Sequence, residues 1–451
     1  MLPASLVRIL THHAPEDRAP APVRTPIEVS AFRRWVAPGA LVFFTPGGVL
    51  ALWMILVHFD GSVVRFASEI DAARFVSLLP RPSAYAAGLI VGWVALQALL
   101  LRLVPGREHL GPVTPTGQRP AYKLNGVASW VLSHALVVGT WLAGLWSATR
   151  VYEALGEILV TLNLGALVLC LLLYAKGRTY PSSTDAVYTG YFFFDFFQGI
   201  ELHPTLFGVS LKQLFNCRVS MMGWSTLTLV CAAHQLEATG RVSSSMAVSA
   251  SLLVLYLLKF FWWESGYFAS LDIMHDRFGY YICWGVLVWV PSVYTVWAVY
   301  LGAHPIELHP AWAAALLAVG LLALYTNYAA DAQRQRVRET GGKTRVWGKP
   351  PQLLRARYRT SDGEEHESLL LTSGYWGLAR HFHYVPELTL ALAWTLPAGF
   401  DVALPYLYFV FLTILLVDRA GRDDKRCRAK YGSYWAEYCR MVPAKILPGV
   451  Y

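Results

Sequence analysis

The chain has 451 residues, of which 55% are hydrophobic, 14% aromatic and only 15% charged, with a net charge of +9 and a mean hydropathy of +0.40. Ordinary soluble domains carry about a quarter charged residues, so this balance excludes a disordered, collagen-like or coiled-coil chain and argues against a soluble enzyme. The many rings suit a polytopic membrane protein with aromatic belts at its interfaces.

In chain order, the first 38 residues read as a mobile, Pro-rich cytosolic tail. Their short apolar run is followed by His, Pro and charges and lacks a signal-peptide core and cleavage site. Residues 39–451 read as a single membrane domain. A spanning helix needs about 20 mainly apolar residues, and candidate spans lie at 40–58, 84–104, 128–147, 154–175, 218–235, 246–263, 280–302, 311–329, 386–400 and 402–418. The last two are short and read as a re-entrant hairpin broken at Pro397 and Gly399. The expected fold is therefore all-α and polytopic, with about ten transmembrane helices. Ten spans put both termini on one side. Of the 38 basic residues, only Arg65, Arg74, Arg81, Arg150 and Arg241 then fall in the outer loops. The positive-inside rule places the other set of loops, and both termini, in the cytosol. The basic charge is thus mostly topology and does not imply nucleic acid.

Two segments between spans are dense in charge. The block TGYFFFDFFQGIELHP (189–204) carries Asp195, Glu201 and His203 among rings, as pocket lining or as interface anchors. The block from Lys259 to Gly285 carries Glu264, Asp272, His275, Asp276 and Arg277. Helical spacing would gather Glu264, Asp272 and His275 on one side, where they form either a proton-donating network or a solvated loop. Charges near a bilayer are costly and tend to serve a cavity or a partner.

After the eighth span, DAQRQRVRETGG reads as an extension of that helix, ended by Gly341 and Gly342. Arg334 and Arg338 share a face, either solvated or clamping phosphate oxygens. The tail RDDKRCRAKYGSYWAEYCRMVPAKILPGVY interleaves basic groups with Tyr431, Tyr434, Trp435 and Tyr438. It suits either ring stacking with phosphate binding or a membrane-surface helix. No GxGxxG follows a strand and no GxxxxGK[ST] occurs, so neither a Rossmann domain nor a P-loop is expected. His381 and His383 form an HxH without a third ligand, so no metal is expected. The six cysteines include no CxxC pair and imply no disulfide framework. Composition and pattern end at a membrane enzyme or transporter for an apolar ligand.

The tail and the GYFFFDFFQGIELHP block resemble the two signatures of the sterol reductase family, the Δ14-, Δ24(28)- and Δ7-reductases. GPVTPTGQRPAYKLNG, FFWWESGYFASLDIMHDRFGYY, RVWGKPP and LLLTSGYWGLARHFHYVPE are most similar to its 7-dehydrocholesterol reductase branch, in the plant-like form. The resemblance runs from about residue 40 to the end. It implies ten spans, a sterol taken from the bilayer, and NADPH as cofactor, in a pocket mainly within 186–451. By motif match it implies cofactor contacts from Arg334, Arg338, Leu371, Trp376, His383, Tyr384, Asp423, Cys427, Arg428, Ala429, Lys430, Tyr431 and Tyr438. It implies NADPH-dependent reduction of the C7–C8 double bond of a 5,7-diene sterol by protonation and hydride transfer. Glu264 is the first candidate acid, with Asp272 and His275 as relay and Tyr280 as an alternative. The tail departs from the family at Val442-Pro443-Ala444-Lys445, where VPYR is usual. A Δ14-reductase and a non-catalytic sterol-binding receptor are the alternatives; a transporter is a third class. The protein is expected in the endoplasmic reticulum of a eukaryote or the inner membrane of a bacterium, surrounded by membrane lipids.

Overall fold

The computed structural model of the chain describes residues 21–25, 30–114, 116–359 and 365–450. Most of the expected N-terminal tail lies outside these residues; among the described residues the first helix begins at Phe32.

Each of the ten apolar segments folds as helix, because only a helix satisfies its own backbone groups in lipid. They are α1 (Phe32–His58), α2 (Ala84–Leu103), α3 (Gly126–Leu142), α4 (Leu155–Thr179), α5 (Met222–Thr239), α6 (Ser244–Trp262), α7 (Tyr280–Ala303), α8 (Pro310–Glu339), α9 (Tyr384–Thr395) and α10 (Leu404–Tyr431). Among the described residues, α1, α2, α4, α6, α7, α8 and α10 are long and apolar enough to cross a membrane, and α3 is a shorter apolar helix. Their outward apolar side chains, such as Phe43, Phe44, Leu142 and Leu322, stay exposed, as a bilayer-facing surface requires.

The C-terminal ends of α8 and α10 compare differently with the expected spans. Helix α8 runs on to Glu339 and stops at Gly341 and Gly342, both at positive φ, as the sequence predicts. Helix α10 does not stop near 418. It continues through the charged tail to Tyr431, because no breaker intervenes before Gly432. The RDDKRCRAKY signature is therefore the end of a spanning-length helix, followed by α11 (Ser433–Met441). Between α9 and α10 the chain makes a short 3-10 turn at Leu396–Ala398 and a positive-φ glycine, Gly399.

Among the described residues the longer antiparallel hairpins between the helices are β1 (Arg107–Leu110) with β2 (Ala121–Leu124), and β3 (Leu353–Arg359) with β4 (Glu365–Leu371). Two compact units result. The first holds 1–243, 257–305 and 402–404; the second holds 244–256, 306–401 and 405–451. In the first, Leu101, Leu159, Phe196, Phe215, Phe278 and Trp284 share one core. In the second, β3, β4, α10 and α11 bury Ala356, Leu370, Cys427, Trp435, Tyr438 and Val442 together. Beside these, Val337, Val346, Leu371 and Trp376 form a separate apolar cluster.

Candidate functional site

The acidic residues expected to act as a network belong to the first unit, and most have structural partners there. The 263–279 segment is not one helix. It forms two single turns, Glu264–Tyr267 and Leu271–Met274, so helical spacing does not gather Glu264, Asp272 and His275. Glu264 is 3% exposed. Its carboxylate is gripped by both terminal nitrogens of Arg218 and accepts the Gly126 N–H at 3.2 Å. Arg218 is fully buried and also donates to Asn125 Oδ1 at 2.9 Å. In a buried ion pair of this kind each charge compensates the other, and removing either partner leaves a buried charge unpaired. The residue that the sequence puts forward as proton donor therefore has Arg218 as its structural partner. Asp272 lies within electrostatic reach of Lys212, and His275 is exposed. Tyr280 is buried, hydrogen-bonded to Thr45 Oγ1 at 2.8 Å and stacked on Trp284.

The other expected block is also built inward. Asp195 accepts from the Thr189 N–H and hydroxyl and from the Gly190 N–H. Glu201 takes Lys176 Nζ at 2.7 Å. His203 meets the Tyr122 hydroxyl at 3.2 Å. Burial, reinforced by Lys212 and Arg277, pushes its pKa down to about 3, so it is neutral in the fold. Lys212 is fully buried, and its ammonium donates to the carbonyls of Leu202, Ile273 and Asp276. Gly199 and Gly279 let the two blocks touch backbone to backbone, where a Cβ on either would collide.

The second unit assembles residues from three distant stretches of sequence. On α8, Arg334 lays its guanidinium over the Trp376 ring at 3.8 Å and bonds Asp331 at 3.3 Å. Trp376 is held in turn by its indole N–H donating to the Ala330 carbonyl at 2.7 Å. His383 lies 5.0 Å from the Trp376 ring and 4.3 Å from Tyr384, centroid to centroid. Arg338, one turn beyond Arg334, is within electrostatic reach of Tyr431, Tyr438 and Cys427. It makes no ion pair with a carboxylate among the described residues. From the tail, Tyr438 donates its hydroxyl to the Leu371 carbonyl at 3.2 Å, and burial raises its pKa to about 12. Tyr431 bonds Ser368 at 3.3 Å, and Lys430 covers the Tyr358 ring at 4.0 Å. Cys427 approaches Asp423 at 3.7 Å.

Helical geometry divides the tail run. Asp423, Cys427 and Tyr431 recur every four residues on one face, whereas Arg428 and Ala429 are exposed on the other. Arg428 pairs with Asp424 at 3.5 Å.

Several residues of this cluster are not among the site residues expected from the sequence. His381 faces Asp423 at 3.7 Å and stacks on Tyr384. Burial outweighs the Asp423 charge and lowers its pKa to about 4, leaving a neutral imidazole. Arg380 clasps the tail, donating to the Val442 and Pro443 carbonyls, while its N–H bonds Ala444 and the His381 N–H bonds Lys445. These contacts use backbone carbonyls, so the Ala444 departure from the family pattern leaves them intact. Tyr256, on α6, donates its hydroxyl to Glu387 Oε1 at 2.7 Å. Asn327 donates to Glu387 Oε2 and to the His383 carbonyl, both at 3.0 Å. A polar Asn and a Glu inside apolar stretches are the signal that could have found them.

The chain matches the family described as "Ergosterol biosynthesis ERG4/ERG24 family" over residues 50–451. It is 48% identical to a 7-dehydrocholesterol reductase of Arabidopsis thaliana over 417 residues, 91% of this chain and 96% of that protein. A 7-dehydrocholesterol reductase of Xenopus laevis is 36% identical over 80% of each chain. A Delta(14)-sterol reductase of Methylotuvimicrobium alcaliphilum is 36% identical over 91% of this chain and 94% of that one.

Proposed function

Because the chain belongs to the ergosterol biosynthesis ERG4/ERG24 family, we propose that this integral membrane protein is a sterol reductase that uses NADPH to saturate the C7–C8 bond of 5,7-diene sterols. The observation that carries the cofactor reading is the convergence of Arg334, Arg338, Trp376, Tyr431 and Tyr438 within one unit. Arg338 is a cation without a carboxylate partner among the described residues, beside two phenols and a thiol. That donor set fits a phosphate-bearing ligand, because guanidinium groups bind phosphate oxygens in bidentate fashion. Arg334, fixed on Trp376, supplies a second, oriented donor. His383, Trp376 and Tyr384 group their rings beside these cations. NADPH bound there supplies the hydride that completes saturation at carbon 7.

The protein's remaining task is to deliver a proton in a dry site. Protonation at carbon 8 of the diene places positive charge at carbon 7, spread over the adjacent 5,6-alkene. We assign that proton to the Tyr256 hydroxyl. Glu387 accepts hydrogen bonds at both oxygens and so orients the phenol. Asn327 holds Glu387 and the His383 backbone on one bond donor, tying the acid to the ring-binding loop. Asp423 and His381 sit together beneath Tyr384 as a polar support for that loop.

The likeness to the Arabidopsis protein favours the Δ7 bond over the Δ14 bond. The deciding experiment gives purified protein NADPH and, anaerobically, either 7-dehydrocholesterol or a Δ8,14-sterol. The expected result is loss of the 5,7-diene absorbance with a gain of two hydrogens by mass. Turnover of the Δ8,14-sterol alone would move the assignment to the Δ14 bond. NADPH binding without turnover of either would favour a sterol-binding receptor.

A further inference from the structure

Trp347 stands outside everything assigned above. It occupies the tip of a tight turn in which Val346 and Lys349 exchange backbone bonds at 2.8 and 3.1 Å. Its φ is +49°, a left-handed conformation that a bulky side chain adopts only at a cost in strain and that the following Gly348, at +78°, adopts freely. The strain does not place the ring in the core. Trp347 is 58% exposed, touching only the edge of Tyr375 at a centroid distance of 5.1 Å among the described ring contacts. Its neighbours on the turn, Arg345 and Lys349, are exposed, as is Lys343. No acidic residue occurs from 340 to 359.

The depth of this turn follows from its anchors. Val346 packs against Gly374, whose positive φ of +64° keeps the space beside Gln333 clear of a Cβ. The next residue, Tyr375, donates its N–H to Gln333 Oε1 at 3.0 Å, and Trp376 bonds the Ala330 carbonyl. The turn therefore docks beside residues 330–333 of α8, directly after the apolar stretch 311–329. At about 1.5 Å of rise per residue, that is within roughly one helical turn, about 5 Å, of the hydrocarbon edge. Leu378, on the same short helix as Tyr375, is also exposed at this level.

We propose that the 345–349 turn is a membrane-interface anchor: Trp347 inserts among the lipid headgroups while Arg345 and Lys349 contact anionic lipid of the cytosolic leaflet. Indole rings favour the interface because one edge is polar and the body apolar. Basic groups at that depth are attracted to anionic headgroups within a Debye length. The left-handed conformation then has a purpose, since it turns the ring away from the protein.

The test uses the full chain in nanodiscs of phosphatidylcholine, with and without phosphatidylserine. Trp347→Cys, with Cys439→Ser, carries an environment-sensitive fluorophore; Arg357→Cys, on the exposed edge of β3, is the aqueous control. Headgroup-level nitroxide lipid is expected to quench the label at 347 several-fold more than the label at 357. Iodide should quench it several-fold less, and added phosphatidylserine should deepen the protection. Arg345→Gln with Lys349→Gln should abolish that last increment. Trp347→Gly relaxes the turn and serves as a second variant: the increment of intrinsic fluorescence that it removes should itself be quenched by headgroup-level nitroxide lipid. Equal iodide access at 347 and 357 in both lipid mixtures would overturn the proposal. Protection that follows NADPH addition and ignores lipid composition would also overturn it, making the turn a ligand wall.

Discussion

Glu264→Gln separates a structural carboxylate from a catalytic one. In the folded protein Arg218 is wholly buried and its charge is balanced by Glu264, with Asn125 and the Lys123 carbonyl as neutral partners. Removing the carboxylate charge leaves a buried guanidinium uncompensated, which costs about 3–5 kcal/mol. That lowers the folded-to-unfolded ratio by roughly two to four orders of magnitude. The Gly126 N–H, which opens α3, loses an anionic acceptor at the same time. The expected outcome is a large fall in thermal midpoint in detergent, read by near-UV circular dichroism. Turnover per folded molecule should remain within a few-fold of the parent. Arg218→Met with Glu264→Leu should recover most of the loss, since a buried ion pair replaced by apolar groups of similar volume is often neutral. A Glu264→Gln protein with the parent's thermal midpoint but no product would refute this reasoning and return Glu264 to the role of acid.

Tyr256→Phe should lower kcat by about 10²–10⁴ with NADPH affinity unchanged, measured by sterol product formation and by fluorescence titration of the cofactor. Arg338→Ala should weaken NADPH binding by roughly ten- to a hundredfold, the loss of about 1.5–3 kcal/mol from a charge-assisted bond, with a smaller change for NADH if the group faces the extra phosphate. His203 adds an acid-sensitive element: its pKa is lowered from 6.5 to about 3 in the fold, so the unfolded chain binds the extra proton between those values. Stability from this group is full above pH 6.5 and declines toward pH 3, by at most about 1.4 kcal/mol per pH unit. His203→Gln should flatten that limb of a stability-versus-pH curve recorded by thermal unfolding.

Helix positions were legible because lipid imposes a local rule: a long apolar run must close its own hydrogen bonds within itself. All ten apolar segments are helical for that reason, and the Gly341-Gly342 stop on α8 follows from backbone freedom alone. The charged end of α10 was harder to read. A helix continues as long as nothing breaks it, and polarity by itself does not mark its end. The 263–279 segment failed for the opposite reason. Its residues were spaced as on a helix, but the buried Arg218 and the Lys212 carbonyl cradle hold it as two separate turns.

Composition and local spacing are enough to read a polytopic membrane protein, the approximate course of its helices, and which motif residues are cations and rings. Those properties depend on composition and on contacts a few residues apart. The pairing of Glu264 with Arg218, 46 residues away in the chain, and of Tyr256 with Glu387 across 131 residues, is visible only in the folded chain. A carboxylate's role is set by the charge and solvent around it, and in a folded chain that environment comes from residues that sequence distance does not reveal.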